Sequence, residues 1–180
     1  MLTRERVLSA ADPYFDYCWA LYEDAFPAVE RRALPYHLET LECVDFRFEL
    51  ILCGGEPIGF FGWWELDSFR YVEHFATSPE VRGRGYGEAA LREFVQESDK
   101  MVILEVELPA EEMARRRIGF YERLGFCTNP HPYAHPSYHD RNAAFVELMI
   151  MTYPAPITLA QLDAFKRINF PIIHFRHFAD

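Results

Sequence analysis

The sequence predicts an α/β fold in a single domain. Three observations lead there. Apolar residues alternate in several short runs and follow helical spacing in others, so strands and helices succeed one another. Residues 46–66 read as a hairpin, two strand-like runs around Gly54-Gly55-Glu56-Pro57. A strand over Arg70–Thr77 then runs through a Gly-rich turn into a helix over Glu88–Gln96. The 180 residues suffice for a sizeable core, half of them are hydrophobic, and 16 Phe and 10 Tyr are available to fill it.

In chain order, Thr3–Leu8 is a short first strand. Asp12 and Pro13 have the chemistry of an N-cap and a first helical residue, and Tyr17, Ala20, Leu21, Tyr22 and Phe26 keep helical spacing down to Pro27. Residues 28–35 form a polar connection, and a second short helix is expected over Tyr36–Glu42. The hairpin strands are Phe46–Cys53 and Ile58–Leu66. After the turn and its helix come a β-branched strand, Met101–Leu108, and a helix, Glu111–Leu124, with Met113, Phe120, Tyr121 and Leu124 as its core row and Gly125 as its stop. Phe126 opens another strand, residues 128–142 are too rich in Pro to be regular, and Ala144–Tyr153 returns to strand. Thr158 and Gln161 fit a capping box for a last helix to about Asn169, and the aromatic tail Phe170–Phe178 is expected as an edge strand. No repeat, low-complexity tract or long linker divides the chain.

The formal net charge of −10 argues against a nucleic-acid partner, because a phosphate polymer would be repelled. The cysteines at 18, 43, 53 and 127 lack C-x-x-C spacing and read as buried thiols in a reducing compartment. Charges at Arg4, Glu5 and Arg6 interrupt what a signal peptide would need as an apolar core, and no apolar run approaches a membrane span. The expectation is a cytoplasmic protein with no membrane partner.

The turn Val81-Arg82-Gly83-Arg84-Gly85-Tyr86-Gly87 has the make-up of an anion site. The first N–H groups of a helix have no partner in the helix and carry the positive end of its dipole. The glycines let a ligand approach the backbone, and Arg82 and Arg84 add positive charge. A P-loop would need Gly-Lys-Ser/Thr here, and a dinucleotide fingerprint would need G-x-G-x-x-G, whereas the spacing is G-x-G-x-G. Arg82, Gly85 and Gly87 spell R-x-x-G-x-G, which resembles the pyrophosphate loop of the GNAT acyltransferase superfamily. One strand later, Tyr121 followed by Gly125-Phe126 resembles that family's second signature, a helix bearing a Tyr and ending at Gly-Phe. The resemblance spans about residues 3–153, leaving the C-terminal helix and aromatic tail, 154–180, outside the family core. Two positions depart from the family pattern: Ala114 stands where Asn is frequent, and Arg117 where a small residue is frequent.

The resemblance implies a mixed, mostly antiparallel central sheet flanked by helices, and an acetyl-CoA-dependent N-acetyltransferase. The amides of Arg82, Gly83, Arg84, Gly85, Tyr86 and Gly87 would hold the pyrophosphate, and the backbone at Phe75 and Thr77 would pair with the pantetheine arm. Tyr121 is the implied acid for the leaving thiolate, its alternative being a packed core tyrosine. Glu73 is the implied base: on a regular strand Tyr71, Glu73, Phe75 and Thr77 share one face and His74 takes the other. Its alternative is a carboxylate facing solvent or paired with an Arg. Arg115, Arg116 and Arg117 read as a solvated basic face or as a reach toward a coenzyme A phosphate.

Phe26, Trp63, Trp64, Tyr133 and Tyr138 are candidates for an aromatic acceptor wall, with core filling as the alternative. His131, His135 and His139 recur every fourth residue, but Pro132 and Pro136 break any helix that would align them, so a rigid pocket-lining loop is expected and no metal. The functional expectation is direct transfer of an acetyl group to a primary amine of a small molecule or protein in a ternary complex. A non-catalytic acyl-CoA-binding module of the same fold is the alternative. Docking of the aromatic tail on a second copy would make a homodimer.

Overall fold

The computed structural model describes residues 1–140 and 142–171. They fall into two compact units, one up to Lys100 and one from Met101. The first contains β1 (Leu2–Arg6), α1 (Phe15–Ala25), α2 (Leu34–Leu41), β2 (Phe46–Cys53), β3 (Glu56–Glu65), β4 (Phe69–Thr77) and α3 (Tyr86–Gln96). The second contains β5 (Met101–Glu107), α4 (Glu112–Arg123), β6 (Cys127–Thr128), β7 (Tyr133–His135), β8 (Val146–Tyr153) and α5 (Leu159–Asn169).

In the first unit β1, β2, β3 and β4 pair in that order, every pair antiparallel. Both faces are packed, so β3 reads as a nearly unbroken apolar run rather than an alternation. One face meets α1 and α2. Tyr22 of α1 lies 5.9 Å from Phe60 and 4.7 Å from His74, and His37 of α2 lies 4.6 Å from Phe48. The other face meets α3, whose buried stripe is Ala90, Leu91, Phe94 and Val95. Phe94 sits 5.1 Å from both Phe61 and Trp63, and Phe61 stacks on Phe75 at 4.4 Å. Full burial of rings like these contributes about 2–3 kcal/mol each.

β4 is not a regular strand. Trp63 pairs with Val72 and Gly62 with His74, so Glu73 is an extra residue in a β-bulge. The expected shared face of Tyr71, Glu73, Phe75 and Thr77 is therefore corrected. Phe75 faces α3, while Glu73 and His74 both belong to the side of α1. Near the end of β4 the two backbones come very close: a Cβ on Gly59 would lie 2.4 Å from the Ala76 carbonyl oxygen.

In the second unit β8 pairs antiparallel with β5, and also with β6 and β7. Helix α4 buries Ala114, Ile118 and Tyr121. Met113, expected in its core row, is 64% exposed, because the buried stripe runs one position out of phase with it. The capping box of α5 forms as expected, Gln161 N–H donating to Thr158 Oγ1 and Thr158 N–H to Gln161 Oε1. Phe170 continues α5 in helical conformation rather than opening a strand. The remainder of the expected edge strand, from residue 172, lies outside the described residues.

Smaller differences are local. Asp12 does not cap α1: its Oδ1 accepts from Tyr14 N–H in a tight turn, and the helix begins at Phe15. Helix α2 takes Pro35 into its first turn and so starts earlier than expected. Among the described residues no disulfide forms; Cys18 and Cys43 are buried and Cys53 and Cys127 half-buried. No described helix is long and apolar enough to cross a membrane.

Candidate active site

Strand β4 ends at Thr77, and the chain passes through a 3-10 turn, Pro79–Val81, into the turn 82–85. Gly83 and Gly85 adopt φ of +77° and +81°, a conformation that a side chain makes costly. No atom lies within 4 Å of where a Cβ on either would sit, so the turn opens outward. Gly85 is the N-cap of α3 and has no side chain to bond the first amides. Arg82, Gly83, Arg84 and Gly85 are exposed, and Tyr86 and Gly87 half-buried. The Arg82 N–H, expected among the ligand-holding amides, instead donates to the Pro79 carbonyl at 3.3 Å. A helix N-terminus, its dipole end and two arginines in an open turn suit an anionic diphosphate.

Upstream, Glu73, Phe75 and Thr77 are half-buried as residues. The Glu73 carboxylate itself is fully enclosed. Arg32 Nη2 donates to Oε1 at 2.8 Å and Arg32 Nη1 to Oε2 at 2.8 Å, while Trp64 Nε1 donates to Oε2 at 2.9 Å. The Arg32 side chain is only 2% exposed and lies over the Trp64 ring. This is the Arg-paired carboxylate, not a base open to an incoming amine. His74 packs edge-on against Tyr22 and Phe26, and its Nε2 lies 2.9 Å from the Glu30 carbonyl oxygen.

Arg32 went unrecognised in the sequence. It sits beside Arg31, which makes a surface pair with Glu23, and nothing in composition or spacing separates the two. Deeper in this face His37 is 2% exposed among Phe15, Trp19, Tyr22, Phe46 and Phe48. Burial, reinforced by the charge of Arg32, pushes its imidazole down to about 3, so it is neutral.

In the second unit the Gly-Phe signature closes α4. Gly125, at φ +91°, donates to the Glu122 carbonyl at 3.0 Å, and Phe126 N–H donates to the Tyr121 carbonyl at 3.1 Å. A Cβ on Gly125 would press on the Tyr153 ring at 3.3 Å. The signature thus fixes the backbone of Tyr121 itself, and Phe120 and Phe126 hold the ring edge-on. Burial, and secondarily Glu107, outweigh Arg117 and push the phenol up to about 12. The Tyr121 phenol is therefore protonated at neutral pH.

Phe26 and Trp63 do not share one wall. Phe26 packs with Phe60 and His74 on the α1 side of β3 and β4, whereas Trp63 packs with Phe94 on the α3 side and donates to Glu49 Oε2. Trp64 is core, bonded to Glu73. Tyr133 borders a cavity of about 750 Å³ within the second unit, with Pro130, Phe145, Leu148, Lys166 and Phe170. Tyr138 packs on His135 instead. His131 bonds the Ile157 carbonyl and His135 approaches Glu105, so the three spaced histidines do not converge. Arg115 bonds the carbonyls of Pro109 and Ala110, Arg116 pairs with Glu112 and Arg117 with Glu107, which makes this run a paired surface face.

Comparison with known proteins identifies the family. The model of the acetyltransferase (GNAT) family matches residues 15–126. A solved candidate acetyltransferase of the GNAT family from Bacteroides thetaiotaomicron is 30% identical, with a TM-score of 0.89 over 96% of this chain and 98% of that one. The ribosomal-protein-S18-alanine N-acetyltransferase of Escherichia coli shares the fold at 17% identity and a TM-score of 0.56, covering 88% and 96% of the two chains. Arabidopsis thaliana Naa50, solved with the bisubstrate analogue CoA-Ac-MVNAL, does so at 16% identity and 0.58, covering 84% and 98%. No curated protein sequence matches the chain. Over more than half its length, and through both of its signatures, the chain belongs to the GNAT acetyltransferase family.

Proposed function

We propose that this protein is an N-acetyltransferase that carries an acetyl group from acetyl-CoA to a primary amine of a small molecule or protein, by direct attack in a ternary complex. The observation that carries this reading is the open turn at 82–87, with two left-handed glycines and a helix N-terminus uncapped by any side chain. Its amides and Arg82 and Arg84 hold the diphosphate, and the backbone at Phe75 and Thr77 aligns the pantetheine arm. An amide C–N bond forms as the thioester C–S bond breaks. The nitrogen sheds its extra protons to water, the Tyr121 phenol protonates the leaving sulfur, and the phenolate takes a proton back from water. Glu73 organises the site through its ion pair and leaves deprotonation to solvent.

The test is incubation with acetyl-CoA and a panel of amines, read as free thiol. Release that depends on the amine supports the enzyme. The enclosure of the Glu73 carboxylate favours one other reading, a module that holds acyl-CoA without turnover. Thermal stabilisation by coenzyme A with no thiol release from any amine would establish that alternative. The proposed homodimer predicts a mass that rises with concentration in sedimentation, and a monomer throughout would remove it.

A further inference from the structure

The cavity of about 750 Å³ in the second unit is framed by the loop ahead of β7, the start of β8 and the end of α5. It has the size of a small-molecule pocket, and its walls are largely apolar, with Tyr133, Phe145, Leu148 and Phe170 among them. Phe145 meets Phe170 edge-on at 5.8 Å, and Tyr133 lies 6.0 Å from Phe170. The Tyr133 ring is held through its hydroxyl, which donates to Glu105 of β5 and lies 3.5 Å from Asn169 Nδ2. A wall fixed in advance asks little ordering of itself when a ligand arrives.

A cation stands in this wall. Lys166 is half-buried, its Nζ is 5.6 Å from the centre of the Tyr133 ring, and among the described residues no carboxylate pairs with it. Acidic residues outnumber basic ones by 28 to 18, so partners are not scarce. Arg4, Arg31, Arg70 and Lys100 are half-buried as well, and each holds a Glu. The dipole of α5 does not account for the placement, since Arg167 serves the same last turn while fully exposed. Glu147, the acid among the described lining residues, is exposed. A half-desolvated ammonium beside apolar rings is matched by an anion that brings an apolar body with it, because the body excludes water and strengthens the attraction.

We infer that this cavity binds a small carboxylate with an aromatic or branched apolar body. The carboxylate sits on Lys166 Nζ, and the body lies against Tyr133, Phe145 and Phe170. The cation selects the head group and the rings select the body. The site is complete within the second unit, so its ligand is held whether or not the protein transfers acetyl groups.

The experiment uses probes with one body and different head groups: phenylpropanoate, phenylpropanol and phenylpropylamine. Calorimetry on the full chain reads affinity, and the resonances of Tyr133, Phe145 and Leu148 read location. The carboxylate is expected to bind at least tenfold more tightly than the alcohol or the amine and to shift those resonances. Lys166→Met brings the carboxylate within twofold of the alcohol, whereas Lys166→Arg keeps most of the preference. Leu148→Trp, which puts a larger ring into the cavity, abolishes binding; if it does not fold, the two Lys166 variants decide. Several results would overturn the inference. They are no binding of the carboxylate at millimolar concentration, equal affinity for all probes, tighter binding of the amine, a preference that survives in folded Lys166→Met, and resonances of Tyr133, Phe145 and Leu148 that stay still.

Discussion

Arg32 grips Glu73 with two parallel hydrogen bonds of 2.8 Å across 41 residues of sequence, and neither side chain meets solvent beyond 2%. Removing one partner leaves the other charge buried alone, at a cost of about 3–5 kcal/mol. Glu73→Gln is therefore expected to lower the melting temperature sharply and to lower turnover by a similar factor at every pH. Thermal melts and rates between pH 6 and 9, taken well below the variant's melting point, check this. A loss confined to low pH in a stable variant would restore Glu73 as the base.

His37→Phe tests the neutral imidazole. Its folded value of about 3 lies below the ordinary 6.5, so the unfolded chain binds the extra proton between those values. Stability from this site is present above pH 6.5 and is lost as pH falls toward 3. The variant should lose less stability than the native chain over that window, by a few kcal/mol at most. Urea melts at pH 7 and pH 4.5 give the difference directly.

Tyr121→Phe should cut kcat by about a hundredfold with little change in acceptor KM, since the ring's packing survives and only the proton donor is lost. The phenol is raised from 10 to about 12, so the native chain's stability from it holds below pH 10 and is lost between pH 10 and 12. The variant lacks that alkaline loss. Single-turnover rates and alkaline melts separate the two effects.

Much of this arrangement was legible in the chain. The strand–turn–helix around Gly83 and Gly85 and the stop at Gly125 were readable because each needs a residue type that few others can replace. The side of β4 on which Glu73 lies was not, because a bulge is a property of register between two strands and leaves no mark in the alternation of one. Arg32 was hidden for a related reason: burial of a charge depends on a partner 41 residues away. Met113 misled because an apolar residue one step off the stripe has the same composition as one on it.

Gly85→Ala should cost about 1–2 kcal/mol in strain, with no clash, since the space beside it is empty. The melting temperature should fall modestly while coenzyme A affinity falls at least tenfold, as the first amides of α3 turn away. Arg82→Gln with Arg84→Gln should weaken binding in a salt-dependent way and leave the melting temperature nearly unchanged. Calorimetry at two salt concentrations reads both.

The central claim is that the amides of residues 83–87 receive a diphosphate. Amide resonances of Gly83, Gly85 and Gly87, followed while coenzyme A or pantetheine is added, test it most directly, because pantetheine carries the thiol arm without the diphosphate. The account predicts large shifts with coenzyme A at micromolar concentration and almost none with pantetheine. Resonances that stay still with coenzyme A, or move equally with both, would contradict it.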